Sequence, residues 1–258
     1  MPAVFEGGVL VGTVDGRVVS VNPRGEPEWE FEAGGAVSST PIPAQGRVYF
    51  GSDDGSVYCV SAQDGSRSWS FDAGSQVKVS PCVFEGQVFA ASFEGDLFAL
   101  EAKSGRLAWT YRSQGLPVVH PAADEGRVFL ATELAVSCLD AQSGKMLWEF
   151  AVGPFIISNL VLRGSKMMLA RGGAEGVMEA LCLDARTGDS LWGAVCGESP
   201  ERTTAMASNA DLYLAGREGV LGLDAESGMP SLEHKIQGVL AGTLTLTERF
   251  VLAATDAR

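Results

Sequence analysis

Apolar and polar residues alternate along this chain in short runs broken by glycine-containing turns. That spacing is the signature of half-buried β-strands, and no stretch sustains a helical period. One unit is clear between residues 36 and 71, where Ala36 to Ile42 reads as strand A, Arg47 to Gly51 as B, Ser56 to Val60 as C and Ser66 to Phe71 as D. Asp15-Gly16, Asp54-Gly55 and Glu94-Gly95 fall between B and C in the first three copies, and predict two-residue hairpin turns with positive φ.

The unit recurs. A Gly is followed four positions later by Trp at Gly25/Trp29, Gly65/Trp69, Gly105/Trp109, Gly144/Trp148 and Gly188/Trp192, with Trp spacings of 40, 40, 39 and 44 residues. A sixth copy at Gly228 carries Leu232 instead. Four antiparallel strands in a period near 40 residues is the size of one propeller blade. The expected fold is an all-β propeller of four-stranded antiparallel blades, a single domain over 1–258 with blade marks near 2–40, 41–80, 81–120, 121–158, 159–202 and 203–241, and a partial seventh blade at 242–258. B-type strands appear seven times, the last two at Asp211 to Ala215 and Arg249 to Ala254, whereas C and D strands appear six times. Pro2 to Phe5 match Pro81 to Phe84 on strand A, so the N-terminus is not expected to supply the missing outer strands. The open edge at Phe250 to Ala254 is expected to recruit a partner strand or to drive self-association.

The runs Leu139-Asp140-Ala141-Gln142-Ser143-Gly144, Leu183-Asp184-Ala185-Arg186-Thr187-Gly188 and Leu223-Asp224-Ala225-Glu226-Ser227-Gly228 make the unit specific. With the following Trp, this resembles the tryptophan-docking repeat of the PQQ-like (quinoprotein-like) propellers, of BamB-like or sensor type. Asp and Ser or Thr around a Gly suit a tight turn between C and D. A Trp just beyond it can bury its ring against the neighbouring blade, so Trp29, Trp69, Trp109, Trp148 and Trp192 are expected to be structural.

The resemblance carries no chemistry with it. Quinone-binding members hold their cofactor with a vicinal Cys-Cys pair, a stacking Trp and a calcium ion, in a longer and complete ring. No two cysteines are adjacent here, so no cofactor, metal or catalytic residue is assigned and the chain is not expected to be an enzyme. Cys59, Cys138 and Cys182 share one position on strand C, with Cys82 on strand A and Cys196 in a loop, which reads as buried free thiols and leans toward a reducing compartment. His120 and His234 occupy different repeat positions, which gives a metal site or a Ser-His-acid arrangement little support. Asp53-Asp54 is explained by a hairpin turn.

Composition narrows the partners. Of 258 residues 46% are apolar and 20% charged, enough to bury a large core, and the net charge of −13 repels nucleic acid and anionic lipid. No apolar run is long enough to span a membrane, and the first residues lack a basic region and cleavage site, so the chain is expected in the cytoplasm, or in the periplasm if a leader has been removed. The irregular segments are Arg171 to Gly176, which lengthens a B–C connection, and Cys196 to Arg202, between D and the next A. Both open on the same face of a blade. Arg171, Glu175, Glu198, Glu201 and Arg202 are therefore the candidate partner-binding rim. The expected function is a non-enzymatic scaffold that binds a protein partner through one loop face, within a larger assembly. A ligand-sensing propeller and an inactive or partial PQQ-dependent dehydrogenase are the alternatives.

Overall fold

A computed structural model describes residues 2–5, 8–153, 155–156, 158–172, 177–198, 204–207, 211–216 and 219–235, together with strand pairs within 239–256. Every named element is a strand. The first sheet is β1 (Ala3–Phe5), β2 (Gly8–Gly12), β3 (Arg17–Val21) and β4 (Pro27–Glu32); the second is β5 (Ile42–Ala44), β6 (Arg47–Gly51), β7 (Ser56–Ser61) and β8 (Arg67–Asp72). The third is β9 (Cys82–Phe84), β10 (Gln87–Ala91), β11 (Asp96–Glu101) and β12 (Leu107–Arg112); the fourth is β13 (Ala122–Asp124), β14 (Arg127–Ala131), β15 (Ala135–Asp140) and β16 (Met146–Ala151). The fifth has its A strand in two pieces, β17 (Phe155–Ile156) and β18 (Val161–Arg163), both paired with β19 (Lys166–Gly172), followed by β20 (Val177–Asp184) and β21 (Ser190–Glu198). The sixth is β22 (Thr204–Ala207), β23 (Asp211–Gly216), β24 (Gly219–Asp224) and β25 (Pro230–Lys235). Beyond it β26 (Val239–Leu240) pairs with β29 (Thr255–Asp256), and β27 (Thr245–Leu246) with β28 (Val251–Leu252). These two pairs supply an A and a B strand, as the repeat count anticipates, while Phe250, Ala253 and Ala254 of the expected open edge lie outside the described residues.

The chain divides into two compact units, Met1–Thr132 with Ser137–Leu147, and Glu133–Val136 with Trp148–Arg258, the division falling within the fourth sheet. In the first unit the A strands β1, β5, β9 and β13 lie beside one another in sequence order, which makes A the inner strand and D the outer edge.

The seams explain the repeat motif. Each D-strand Trp lies over the turn Gly of the next sheet and donates its indole N–H to the backbone carbonyl of the Ala three residues before that Gly. In the first unit Trp29 bonds Ala62 at 2.9 Å, Trp69 bonds Ala102 at 3.0 Å and Trp109 bonds Ala141 at 3.0 Å. In the second unit Trp148 bonds Ala185 and Trp192 bonds Ala225, both at 3.2 Å. A Cβ at Gly65, Gly105, Gly144, Gly188 or Gly228 would lie 2.6–2.7 Å from the docked ring, and all five glycines have φ between +70° and +79°. Gly is thus required twice over at this position, by backbone conformation and by the close approach of the indole. The Ala is equally committed: the N–H groups of Ala62, Ala102 and Ala141 bond the carbonyls of Gly46, Gly86 and Gly126 in the A–B turns. The Asp of the motif fixes the turn itself. Ser143 Oγ and Ser143 N–H both donate to Asp140, and Ser227 does the same for Asp224; these bonds, the hydroxyl's first, hold both carboxylates below the usual range. Leu232, in the Trp's place on β25, is half-exposed.

Three expectations are corrected. Strand A of the second sheet is Ile42–Ala44 and not Ala36 to Ile42. Pro41 lacks an N–H, and ahead of it the Ser39 hydroxyl stands in for a strand by accepting from Gly51 N–H and donating to Gly51 C=O, both at 2.9 Å. The B–C turns are not two-residue hairpins. Thr13 N–H bonds Arg17 C=O while Gly16 N–H bonds Thr13 C=O, a longer turn in which only Gly16 (φ +92°) is left-handed, and Gly55 and Gly95 repeat it. The two-residue turns with positive φ at both positions are instead the A–B turns Gln45-Gly46, Glu85-Gly86 and Glu125-Gly126. Finally, Arg171-Gly172 and Cys196 to Glu198 are strand and not loop, because the fifth B–C hairpin extends its arms, pairing Arg171 with Glu179, and the lengthened C strand carries the D strand with it, pairing Val177 with Glu198.

Candidate functional site

The B–C turns and D–A connections of the first unit form one continuous loop face, held by backbone bonds. Ala33 N–H reaches Gly16 C=O, Val37 N–H reaches Thr13 C=O, and Asp53 N–H reaches Ala36 C=O, so the connection between the first two sheets is clamped to the B–C turn on either side. Ala73 to Gly55, Val77 to Ser52 and Phe93 to Gln76 repeat the clamp one sheet later. Asp54 adds a side-chain lock, accepting from Gly34 N–H at 2.8 Å and Tyr58 Oη at 2.6 Å. Burial works against its charge, but the bonds from Tyr58, Ser56 and Gly34 outweigh that and hold its carboxyl below the usual range.

On this rigid face stand apolar side chains that fill no core. Val14, on the first B–C turn, is 88% exposed and Phe93, on the third, 45%; Leu116 and Val118, on the connection between the third and fourth sheets, are also exposed. The Lys78 ammonium sits 5.0 Å from the Phe93 ring centre. The turns at the other end of the same sheets are polar, Gln63-Asp64-Gly65-Ser66, Lys103-Ser104-Gly105-Arg106 and Gln142-Ser143-Gly144-Lys145, and the first strand residues beyond the last two, Leu107 and Met146, are half-exposed. The charged-residue reading of the rim passed over Val14, Phe93, Leu116 and Val118. Their signal was present as large apolar residues in positions where other repeats carry Asp53, Gln76, Ser38 and Lys78.

Of the expected rim, only Arg171 is described with its side chain. Its guanidinium is drawn inward in the second unit, donating to Val152 C=O at 2.6 Å and to Glu179 at 2.9 Å, with a 2.8 Å ion pair to the same carboxylate. Arg171 therefore pins the chain leaving β16. Glu198 lies at the end of β21 opposite Val177. Glu175, Glu201 and Arg202 lie outside the described residues.

The other candidate groups are dispersed. Cys59, Cys138 and Cys182 are buried on the C strands, and burial pushes their thiols up to about 11, 12 and 11; Cys82, partly buried, reaches about 11 by the same cause. His120 precedes Pro121 at the inner edge of the first unit, where surrounding protein lowers its pKa, and His234 lies on β25 of the second unit. Among the described residues no group of three or more His, Cys, Asp or Glu side chains is placed to hold a metal ion, and no helix is long and apolar enough to cross a membrane.

Four-stranded antiparallel sheets repeated in sequence, with A strands innermost in the first unit and a Trp from each of the first five D strands docked on the next C–D turn, define a β-propeller of PQQ-like repeats. The family described as outer membrane protein assembly factor BamB matches residues 1–114, 66–207 and 113–243, and the chain belongs to it. Among solved structures, BamB from Moraxella catarrhalis is similar at 16% identity with a TM-score of 0.77, over 96% of this chain and 79% of that one. The computationally designed Ika8 protein is similar at 15% identity with a TM-score of 0.83, over 98% of this chain and 79% of that one. No curated protein matches the chain.

Proposed function

We propose that this protein is a non-enzymatic scaffold that binds a protein partner through the B–C and D–A loop face, within a larger assembly. The observation that carries this reading is that the turns and connections of the first unit's loop face expose Val14, Phe93, Leu116 and Val118, where the turns at the opposite end carry polar residues. Exposed apolar side chains held on a rigid backbone lose little entropy on binding and gain by leaving water, which suits a protein interface. The net charge of −13 argues against nucleic acid as the partner. The absence of a vicinal Cys-Cys pair supports a chain without quinone chemistry. For location, the description of the family as an outer membrane protein assembly factor supports the periplasmic alternative.

Affinity capture with the folded protein tests the reading. Wild type, a Phe93→Asp/Val118→Asp variant and an Arg106→Glu variant on the opposite turns are compared for the proteins they retain. The expected result is one partner retained by wild type and Arg106→Glu and lost by the double variant. Equal capture by all three would place the interface elsewhere.

A further inference from the structure

The D strand is the outer edge of every sheet, and an edge strand presents a row of unpaired backbone N–H and C=O groups to any extended chain that approaches. The D strands other than β21 carry a charged residue or a proline within six residues, the longest uncharged run being Leu107 to Tyr111 of β12. β4 begins with Pro27 and carries Glu28, Glu30 and Glu32; β8 carries Arg67 and Asp72; β12 carries Arg112; β16 carries Glu149; β25 begins with Pro230 and carries Glu233 and Lys235.

β21 is different. It runs nine residues where the others run six, and from Ser190 to Gly197 it has no charged residue and no proline. Trp192, Ala194 and Cys196 pack inward against a buried cluster that includes Met178, Leu212 and Leu214. The alternate positions face outward: Leu191 is 46% exposed, Val195 is 70% exposed, and Gly193 and Gly197 are exposed between and beyond them. Bulges bound the regular stretch, one at Leu191 and one near Gly197, which has φ +99°. The run Trp192 to Val195 is therefore an edge in regular register, anchored by Trp192 and Ala194 and without charge or proline.

We infer that β21 is a docking edge at which an extended segment of another protein adds as an antiparallel fifth strand, a surface distinct from the loop face and independent of that reading. Charge selects the occupant. Asp189 precedes the strand and Glu198 closes it, and the chain as a whole carries −13, so the segment that fits has small or β-branched residues at its centre and a Lys or Arg at each end. A second copy of this chain fits poorly, because antiparallel self-pairing sets the Asp189 end of one copy at the Glu198 end of the other, acid against acid at both ends.

The test uses the full chain and a nine-residue peptide of alternating threonine and valine with a lysine at each end. Binding is followed by fluorescence polarisation on labelled peptide, and its place by amide hydrogen exchange. Slowed exchange at alternate amides between residues 192 and 196 is expected. Binding should weaken at least tenfold when alternate peptide amides on one edge are N-methylated, when the terminal lysines become glutamates, and when Val195→Lys installs a charge of the kind the other D strands carry. The melting temperature of Val195→Lys confirms that the sheet is intact. No binding at millimolar peptide, equal binding of the N-methylated peptide, or protection outside β21 would overturn the assignment. So would slowed exchange in β21 on raising the protein concentration without peptide, since the occupant would then be a second copy.

Discussion

Gly105 carries the sharpest prediction, because its backbone conformation and its contact with Trp69 can be separated by experiment. Gly105 has φ +70°, and a Cβ there would lie 2.6 Å from Trp69 Cδ2 and 2.7 Å from Cε3. Gly86 has φ +79° with nothing within 4 Å of the same hypothetical atom. Alanine at Gly86 thus meets only the left-handed backbone, at about 1–2 kcal/mol. Alanine at Gly105 meets the same cost and must also displace a buried indole bonded to Ala102 C=O, adding about 1–3 kcal/mol for overpacking. Gly105→Ala should therefore lower stability by about 2–5 kcal/mol, clearly more than Gly86→Ala. Urea denaturation followed by far-ultraviolet circular dichroism measures both, with the slope checked for constancy. The double-mutant cycle is decisive: in a Trp69→Ala background the ring is gone, and Gly105→Ala should fall to the cost of Gly86→Ala. If the Gly105→Ala cost is unchanged without Trp69, or equals that of Gly86→Ala with it, the indole is not what demands glycine in this motif.

Trp109→Ala should cost about 3–5 kcal/mol by the same denaturation assay, the range for losing a large packed aromatic, and an unmoved midpoint would contradict burial at a seam. Arg171→Ala should destabilise the second unit by about 1–3 kcal/mol by leaving Val152 C=O and Glu179 without their donor; Arg171→Lys should not restore it, since one ammonium cannot reproduce the fork, and full rescue by lysine would refute that geometry. The buried thiols give a pH dependence. Their folded pKa values near 11–12 lie above the usual 9.0, so the native state holds their protons more tightly and its stability is complete below about pH 9 and declines as pH rises toward 11. Denaturation midpoints between pH 8 and 11 should fall, and the Cys59→Ala/Cys138→Ala/Cys182→Ala protein should show a shallower fall. Alkylation at pH 8 should leave these three thiols unmodified in the folded state while urea exposes all five cysteines.

The repeat, the strand count and the family were legible in the linear chain because a propeller blade is a local object. Its four strands are consecutive and its turns use Gly, Asp and Ser at fixed offsets, so the period carries the sheet topology with it. Gly65 and Trp69 could be read as a pair for the same reason, but their true partners lie elsewhere: Trp69 docks on Gly105, and Gly65 receives Trp29. Only packing between sheets decides that, since the contact joins neighbouring repeats and not residues of one turn. The A–B turns were passed over because Gln45, Glu85 and Glu125 are unusual residues for positive φ, and it is the register of the tight hairpin that imposes the conformation. Arg171 was legible as a charge in an irregular segment, yet extension of β19 and the free carbonyl of Val152 turned it into a pin. The exposed faces were the least legible. Phe93 and Val195 look like core residues in a string of letters, and only the placement of β-turn and edge strand puts them in water, because burial depends on what lies across from a residue and not on its identity.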